Sequence, residues 1–316
     1  MIPLEEIRRA QETIAGTAVR TPLVRLHATV GPAELYLKLE NLQPIGAFKL
    51  RGAYNAARRA SPDELGAGLV TASAGNMAQG VAWAARELGV PCTVIAPDHA
   101  PQTKLAAIER LGGRVIKVPF ERWWQVLEEG RFEGVEGTFL HPVESQDVMA
   151  GNGTIGLELL EDLPDVDAVL IPWGGGGLTV GIASAIKAQR PDVRIYAVEP
   201  ETAAPLNASL AAGSPQEVDY RPSFIDGAGG RALLPKMWAL AKPLLDGAHS
   251  VSLDQTAAAI RQLAERTRVI AEGAGALAPA AALAGNVPEG KVVAIVSGGN
   301  IDFSTLSTIL AGETPL

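Results

Sequence analysis

Ile171-Pro172-Trp173-Gly174-Gly175-Gly176-Gly177-Leu178 is an apolar run that stops at four consecutive glycines and is followed by a helical pattern. Without side chains, successive backbone N–H groups can converge on one point, and the N-terminus of the next helix adds its partial positive charge. A phosphate fits such a turn. The competing reading is a close-packed strand–helix junction that holds no ligand. The run is neither Gly-x-x-x-x-Gly-Lys-Ser/Thr nor a spaced Gly-x-Gly-x-x-Gly, which argues against ATP and dinucleotides.

Working outward, the same strand-then-helix unit recurs on both sides. Short apolar runs at 35–39, 69–71, 92–96, Arg114–Val118, Ala168–Pro172, 194–198 and 291–296 read as strands buried on both faces of a parallel sheet. Amphipathic stretches at 78–88, 102–111 and 178–189 lie between them. This alternation predicts an α/β fold of open, doubly wound sheets. The strands near 70, 94, 116 and 139 form one group and those near 169, 196 and 293 another, so two domains are expected. Their bounds are residues 1–50 and 150–316 for the larger and 51–149 for the smaller. The segment 141–153, with Gly151 and Gly153, reads as the crossover.

Ligands of open α/β sheets bind where strands end, and two more turns lie at such ends. Thr71-Ala72-Ser73-Ala74-Gly75-Asn76 opens a helix whose free N–H groups suit a carboxylate, with Ser73 and Asn76 adding polar side chains; a helix cap without ligand reads equally well. Ile295-Val296-Ser297-Gly298-Gly299-Asn300 places Ser297 at a sheet edge, either as a site hydroxyl or as a turn cap. A fourth segment, Gln43-Pro44-Ile45-Gly46-Ala47-Phe48-Lys49-Leu50-Arg51, sets a lysine between a turn and a helix-forming run over Lys49–Arg59. An amine held there, partly desolvated, can form an imine with an aldehyde such as that of pyridoxal phosphate; the alternative is an ordinary solvated cation.

Composition narrows the classes. The 316 residues are 47% hydrophobic and 20% charged, which suits a globular protein of two lobes. The net charge of −8, without a long Lys/Arg run, argues against nucleic acid as partner. Cys92 is the only cysteine, so a Cys-rich zinc site is excluded, and the four histidines form no i,i+4 pair. No apolar stretch reaches the roughly 20 residues of a membrane span, and the first residues lack a signal-peptide pattern. A cytoplasmic location is expected.

Taken together and in this order, the four segments resemble the fold-type II pyridoxal-phosphate enzymes, which share a tryptophan-synthase-β-like fold, in the branch of threonine/serine dehydratases and serine racemase. The likeness extends from about Thr21 to Asp302 and includes His141-Pro142, Ala150-Gly151-Asn152-Gly153-Thr154, Ala197-Val198-Glu199-Pro200 and Glu272-Gly273-Ala274-Gly275-Ala276. It implies that Lys49 is the Schiff-base and catalytic lysine and that Phe48 packs beside the cofactor ring. It implies that Asn76 bonds the pyridoxal 3′-oxygen, that Gly174, Gly175, Gly176 and Gly177 cradle the phosphate, and that Ser297 meets the pyridine nitrogen. Ser73, Ala74, Gly75 and Asn76 resemble the loop that receives the substrate carboxylate. The implied reaction is β-elimination of water from L-threonine or L-serine. The implied partners are a small amino acid and further copies of the chain in a homodimer or homotetramer. Racemisation, a β- or γ-replacement and, outside catalysis, a phosphate-ligand sensor are the alternatives.

Departures from the family pattern are informative. Ile45-Gly46-Ala47 replaces the usual Thr-Gly-Ser before Phe-Lys, and Met77 stands in the histidine position of Ser-x-Gly-Asn-His. Ala74 stands where serine racemase carries a serine that acts on the opposite face of the substrate, so elimination is expected over racemisation. Of the family's divalent-cation site, Glu199 and Ala203 match while Pro205 replaces the aspartate; a bound cation, divalent or monovalent, is left open. The chain reads on only briefly past Asn300, so feedback control through an appended domain is not expected.

Overall fold

A computed structural model describes residues 1–27 and 32–315. Among the described residues ten strands build two sheets: β1 (Leu23–Leu26), β2 (Ala33–Leu39), β3 (Leu69–Ala72), β4 (Cys92–Pro97), β5 (Arg114–Val118), β6 (Thr138–Phe139), β7 (Ala168–Pro172), β8 (Arg194–Pro200), β9 (Gly247–Val251) and β10 (Gly290–Val296). The larger sheet has the order β1-β2-β10-β7-β8-β9 and the smaller β5-β4-β3-β6. All neighbours pair parallel except β1 with β2.

The apolar runs are continuous because both sheet faces are covered. Along β7, Val169 and Ile171 enter one core, whereas Ala168 and Leu170 enter the core on the other face. Val293 and Ile295 of β10 alternate in the same way with Val292, Ala294 and Val296. The smaller sheet packs the Asn76–Leu88 and Gln102–Arg110 helices on one face and the Phe120–Glu129 helix on the other.

Two strands escape sequence inspection. β1 is an antiparallel edge, and β9 (Gly-Ala-His-Ser-Val) is a polar edge with only Val251 buried. An edge strand is not buried on both sides, so it lacks the apolar run that betrays a central one. The stretch 141–153 leads from β6 of the smaller sheet towards β7 of the larger. From Gln146 it forms a helix that runs to Asp162 and contains both glycines. A Cβ on Gly151 would sit 2.6 Å from the Arg51 carbonyl, and one on Gly153 2.9 Å from that of Gly181. Those glycines serve close helix packing, and they seat the Lys49–Arg59 helix and the Gly177–Lys187 helix against a common support.

Candidate active site

The carboxyl ends of β3, β4, β7 and β10 and the start of the Lys49–Arg59 helix surround one cavity of ≈ 490 Å³. Phe48, Lys49, the Ser73–Asn76 turn, Gly174 to Gly177 and Ser297 all line it. Glu199 and Ala203 do not.

Lys49 is the first residue of its helix. The preceding loop is clasped by the turn after β10: Phe48 N–H donates to the Ser297 carbonyl at 3.0 Å, and Gly299 N–H to the Gly46 carbonyl at 2.9 Å. Behind it, Arg51 is fully buried and forks onto two carboxylates. Its Nε and Nη2 reach Glu40 at 2.8 and 2.9 Å, and its Nη1 and Nη2 reach Glu158 at 2.6 and 2.9 Å. Lys38, buried on β2, donates to Glu158 at 2.7 Å. The helix start is therefore pinned by a neutralised quartet of charges. Lys49 itself is half-buried; its Nζ donates to the Pro142 carbonyl at 3.2 Å and sits 5.2 Å from the centre of the Phe48 ring. Burial lowers its pKa to about 8. At pH 7 about one such amine in ten is neutral, against fewer than about one in a thousand for a solvated lysine.

Pro142 is presented by a loop that His141 folds. Its Nδ1 accepts the N–H groups of Val143 at 3.1 Å and Glu144 at 3.0 Å, and burial lowers the imidazole pKa, so the ring stays neutral with its proton on Nε2. Val143 then closes over the glycine turn. A Cβ on Gly175 would meet its methyls at 2.5 Å, and Gly176, at φ +91°, lies against the buried Trp173 ring. Side chains are excluded at Gly175 and Gly176, and the Gly177–Lys187 helix begins there with no side-chain cap on its first N–H groups.

Side chains that the sequence did not single out complete the wall. Asn76 Nδ2 donates to Glu272 Oε1 at 2.7 Å, and Asn300 Nδ2 donates to Asn76 Oδ1 at 2.8 Å. Burial, with Asp226 nearby, raises the Glu272 pKa to about 7. Lys104, from the smaller sheet's side, forms an ion pair with Asp226 at the cavity rim. Trp123 also lines the cavity, and its buried Nε1 has no partner among the described residues. Glu272 lay in view only inside the Glu-Gly-Ala-Gly-Ala motif, and nothing in its local pattern marks it as a cavity group.

Glu199 has another occupation. Its oxygens accept Leu206 N–H at 2.9 Å and Asn207 N–H and Nδ2 at 2.8 Å each, across the start of the Pro205–Ala212 helix. Burial raises its pKa to about 7. Among the described residues no group of three or more His, Cys, Asp or Glu side chains is placed to hold a metal.

An amine of lowered pKa, a side-chain-free turn at a helix N-terminus and an amide with one N–H uncommitted meet the needs of an aldehyde cofactor carrying a phosphate. Residues 14–298 match the family model described as pyridoxal-phosphate dependent enzyme, and the chain belongs to that family. It is 42% identical to the L-threonine ammonia-lyase of Thermotoga maritima over 316 residues, 98% of this chain and 78% of that protein. It is 37% identical to a catabolic L-threonine dehydratase of Staphylococcus aureus, over 98% of this chain and 92% of that protein. Maize serine racemase superposes with a TM-score of 0.86 at 34% identity, over 98% of this chain and 97% of that one.

Proposed function

We propose that this protein is an L-threonine ammonia-lyase, which eliminates water from L-threonine, and from L-serine as a second substrate, to give 2-oxobutanoate or pyruvate and ammonia. The observation that carries the reading is the single cavity in which the Lys49 amine, the glycine turn and the Ser73–Asn76 turn meet while Ala74 contributes only a methyl group. The cofactor is pyridoxal phosphate, held by Lys49, Phe48, Asn76, Ser297 and the N–H groups of Gly174 to Gly177. When bound it supplies the electron sink for the carbanion at Cα. Lys49, freed by the substrate amine and with its pKa lowered by burial to about 8 so that a usable fraction is neutral, takes the Cα proton. The turn Ser73-Ala74-Gly75-Asn76 receives the substrate carboxylate at its N–H groups, which fixes the Cα–H bond relative to that amine. The Cβ–O bond breaks, the hydroxyl leaves as water by taking up the proton that Lys49 removed from Cα, and the released enamine takes up water to give the oxoacid and ammonia.

Residues 1–50 and 150–316 act in this reading as the cofactor-binding domain and 51–149 as the domain that carries the substrate loop. The enzyme works in the cytoplasm as a homodimer or homotetramer. Purified protein given L-threonine and L-serine in turn, with 2-oxoacid, D-serine and phosphate release measured, tests the assignment. Oxoacid from wild type and none from Lys49→Ala, which also loses the borohydride-reducible attachment, is expected. D-serine as the main product, or an active Lys49→Ala enzyme, overturns it.

A further inference from the structure

Asn76 is restrained at both ends of its carboxamide. Its Oδ1 accepts from Asn300 Nδ2 at 2.8 Å, and the same Asn300 nitrogen donates to the Ile45 carbonyl at 2.8 Å. Its Nδ2 donates to Glu272 Oε1 at 2.7 Å. A carboxamide has an oxygen and an NH₂ at nearly equivalent positions, and only its partners decide which way it points. Here one partner is a donor and the other an acceptor, so a flipped amide would lose both bonds. Glu272 takes one Nδ2 hydrogen, and the second remains for the cavity that Asn76 lines.

We infer that Glu272 is a positioning residue that locks the Asn76 carboxamide so that the cofactor meets an N–H donor there and never an oxygen. Glu272 is itself well anchored. It is the N-cap of the Gly273–Leu283 helix, its own N–H donates to the Gly298 carbonyl at 3.0 Å, and its carboxylate accepts the Asn300 backbone N–H. Its backbone N–H through Gly298 and its carboxylate through Asn300 join it to the turn that carries Ser297, so this one residue ties together two walls of the cofactor pocket. The groups that face it set its charge. Burial and Asp226 push its pKa up to about 7, against the Asn76 and Asn300 donors and the Lys104 cation. Its grip on Asn76 therefore strengthens as it ionises, because a carboxylate accepts more strongly than a carboxyl group.

The inference rests on the cofactor and not on the amino acid turned over, so it is tested by cofactor titration of the apoprotein, with no turnover involved. Glu272→Ala should weaken cofactor binding about tenfold, the equivalent of about 1.4 kcal/mol. In an Asn76→Ala background the same change should alter affinity less than about twofold, since the lost interaction is then already absent. Glu272→Gln, which keeps an acceptor, should stay within about threefold of wild type yet lose the change in bound-cofactor absorbance between about pH 6 and 8. An equal loss from Glu272→Ala in both backgrounds overturns the inference, as does an absorbance titration that Glu272→Gln leaves unmoved. Should Glu272→Ala fail to fold, the Glu272→Gln titration alone decides.

Discussion

Arg51→Met replaces a buried guanidinium with an unbranched side chain of similar length. In the wild type that guanidinium makes six hydrogen bonds: two to Glu40, two to Glu158, one to Thr154 Oγ1 and one to the Val19 carbonyl. Burial alone would raise the Glu40 pKa, but Arg51, helped by the Thr21 hydroxyl and the Lys38 charge, holds the carboxylate below its usual range. The variant leaves Glu40 and Glu158 buried together with only Lys38 to balance them. Stranding a buried charge in this way costs about 3–5 kcal/mol. For 316 residues the unfolding entropy is about 0.66 kcal/mol/K, so a loss of about 4 kcal/mol lowers Tm by about 6 °C. Thermal scans of the cofactor-free protein at a fixed rate measure this without a ligand contribution. The sign with pH follows from Glu40. A carboxylate held low in the folded state stabilises above its unfolded pKa and loses that contribution as pH falls through the folded value. The gap between wild type and variant should thus narrow as pH drops into the carboxylate range, and adding Glu40→Met should recover most of it at neutral pH. A fall of less than about 2 °C at pH 7, or no recovery in the double variant, would refute the charge-balance reasoning.

Covalent capture of the cofactor aldehyde by the apoprotein should speed up with pH through an apparent midpoint near 8, because only the neutral Lys49 amine attacks; a midpoint above about 10 in stopped-flow absorbance would contradict the burial assigned to it. Ala74→Ser adds a hydroxyl to the turn that receives the substrate carboxylate and should raise D-serine formation from L-serine, measured by chiral chromatography; unchanged racemisation counts against the role given to that position. Chelation by EDTA should leave oxoacid production within about twofold, since three N–H donors already occupy Glu199 and Pro205 brings no carboxylate; loss of activity restored by a divalent cation would reverse that view.

Much of the architecture was legible because it is written in local pattern. A central parallel strand must be apolar on both faces, so 168–172 and 291–296 announce themselves, and a turn that admits no side chain must be glycine, as at Gly175 and Gly176. The edge strands β1 and β9 carry no such constraint and stayed hidden. That Gly151 and Gly153 lie inside a helix was not legible, because a sequence does not distinguish a glycine needed for a turn from one needed for helix contact.

For the site, the order of residues supplied the chemical inventory: a lysine at a helix start, an anion-sized glycine turn, and Ala47 and Ala74 where the resembled pattern would place hydroxyls. Tertiary structure alone decided what those groups experience. Nothing in the local sequence marks Lys38 and Arg51 as buried, yet both are, with Arg51 paired to Glu40 and Glu158 and Lys38 to Glu158, 11 to 120 positions away. Glu272 meets Asn76 across 196 positions of chain. Hydrogen bonds and desolvation act over a few ångströms of space, whatever the separation along the chain. The lowered pKa of Lys49 and the fixed amide of Asn76 are therefore properties of the folded cavity and not of the motifs that supply them.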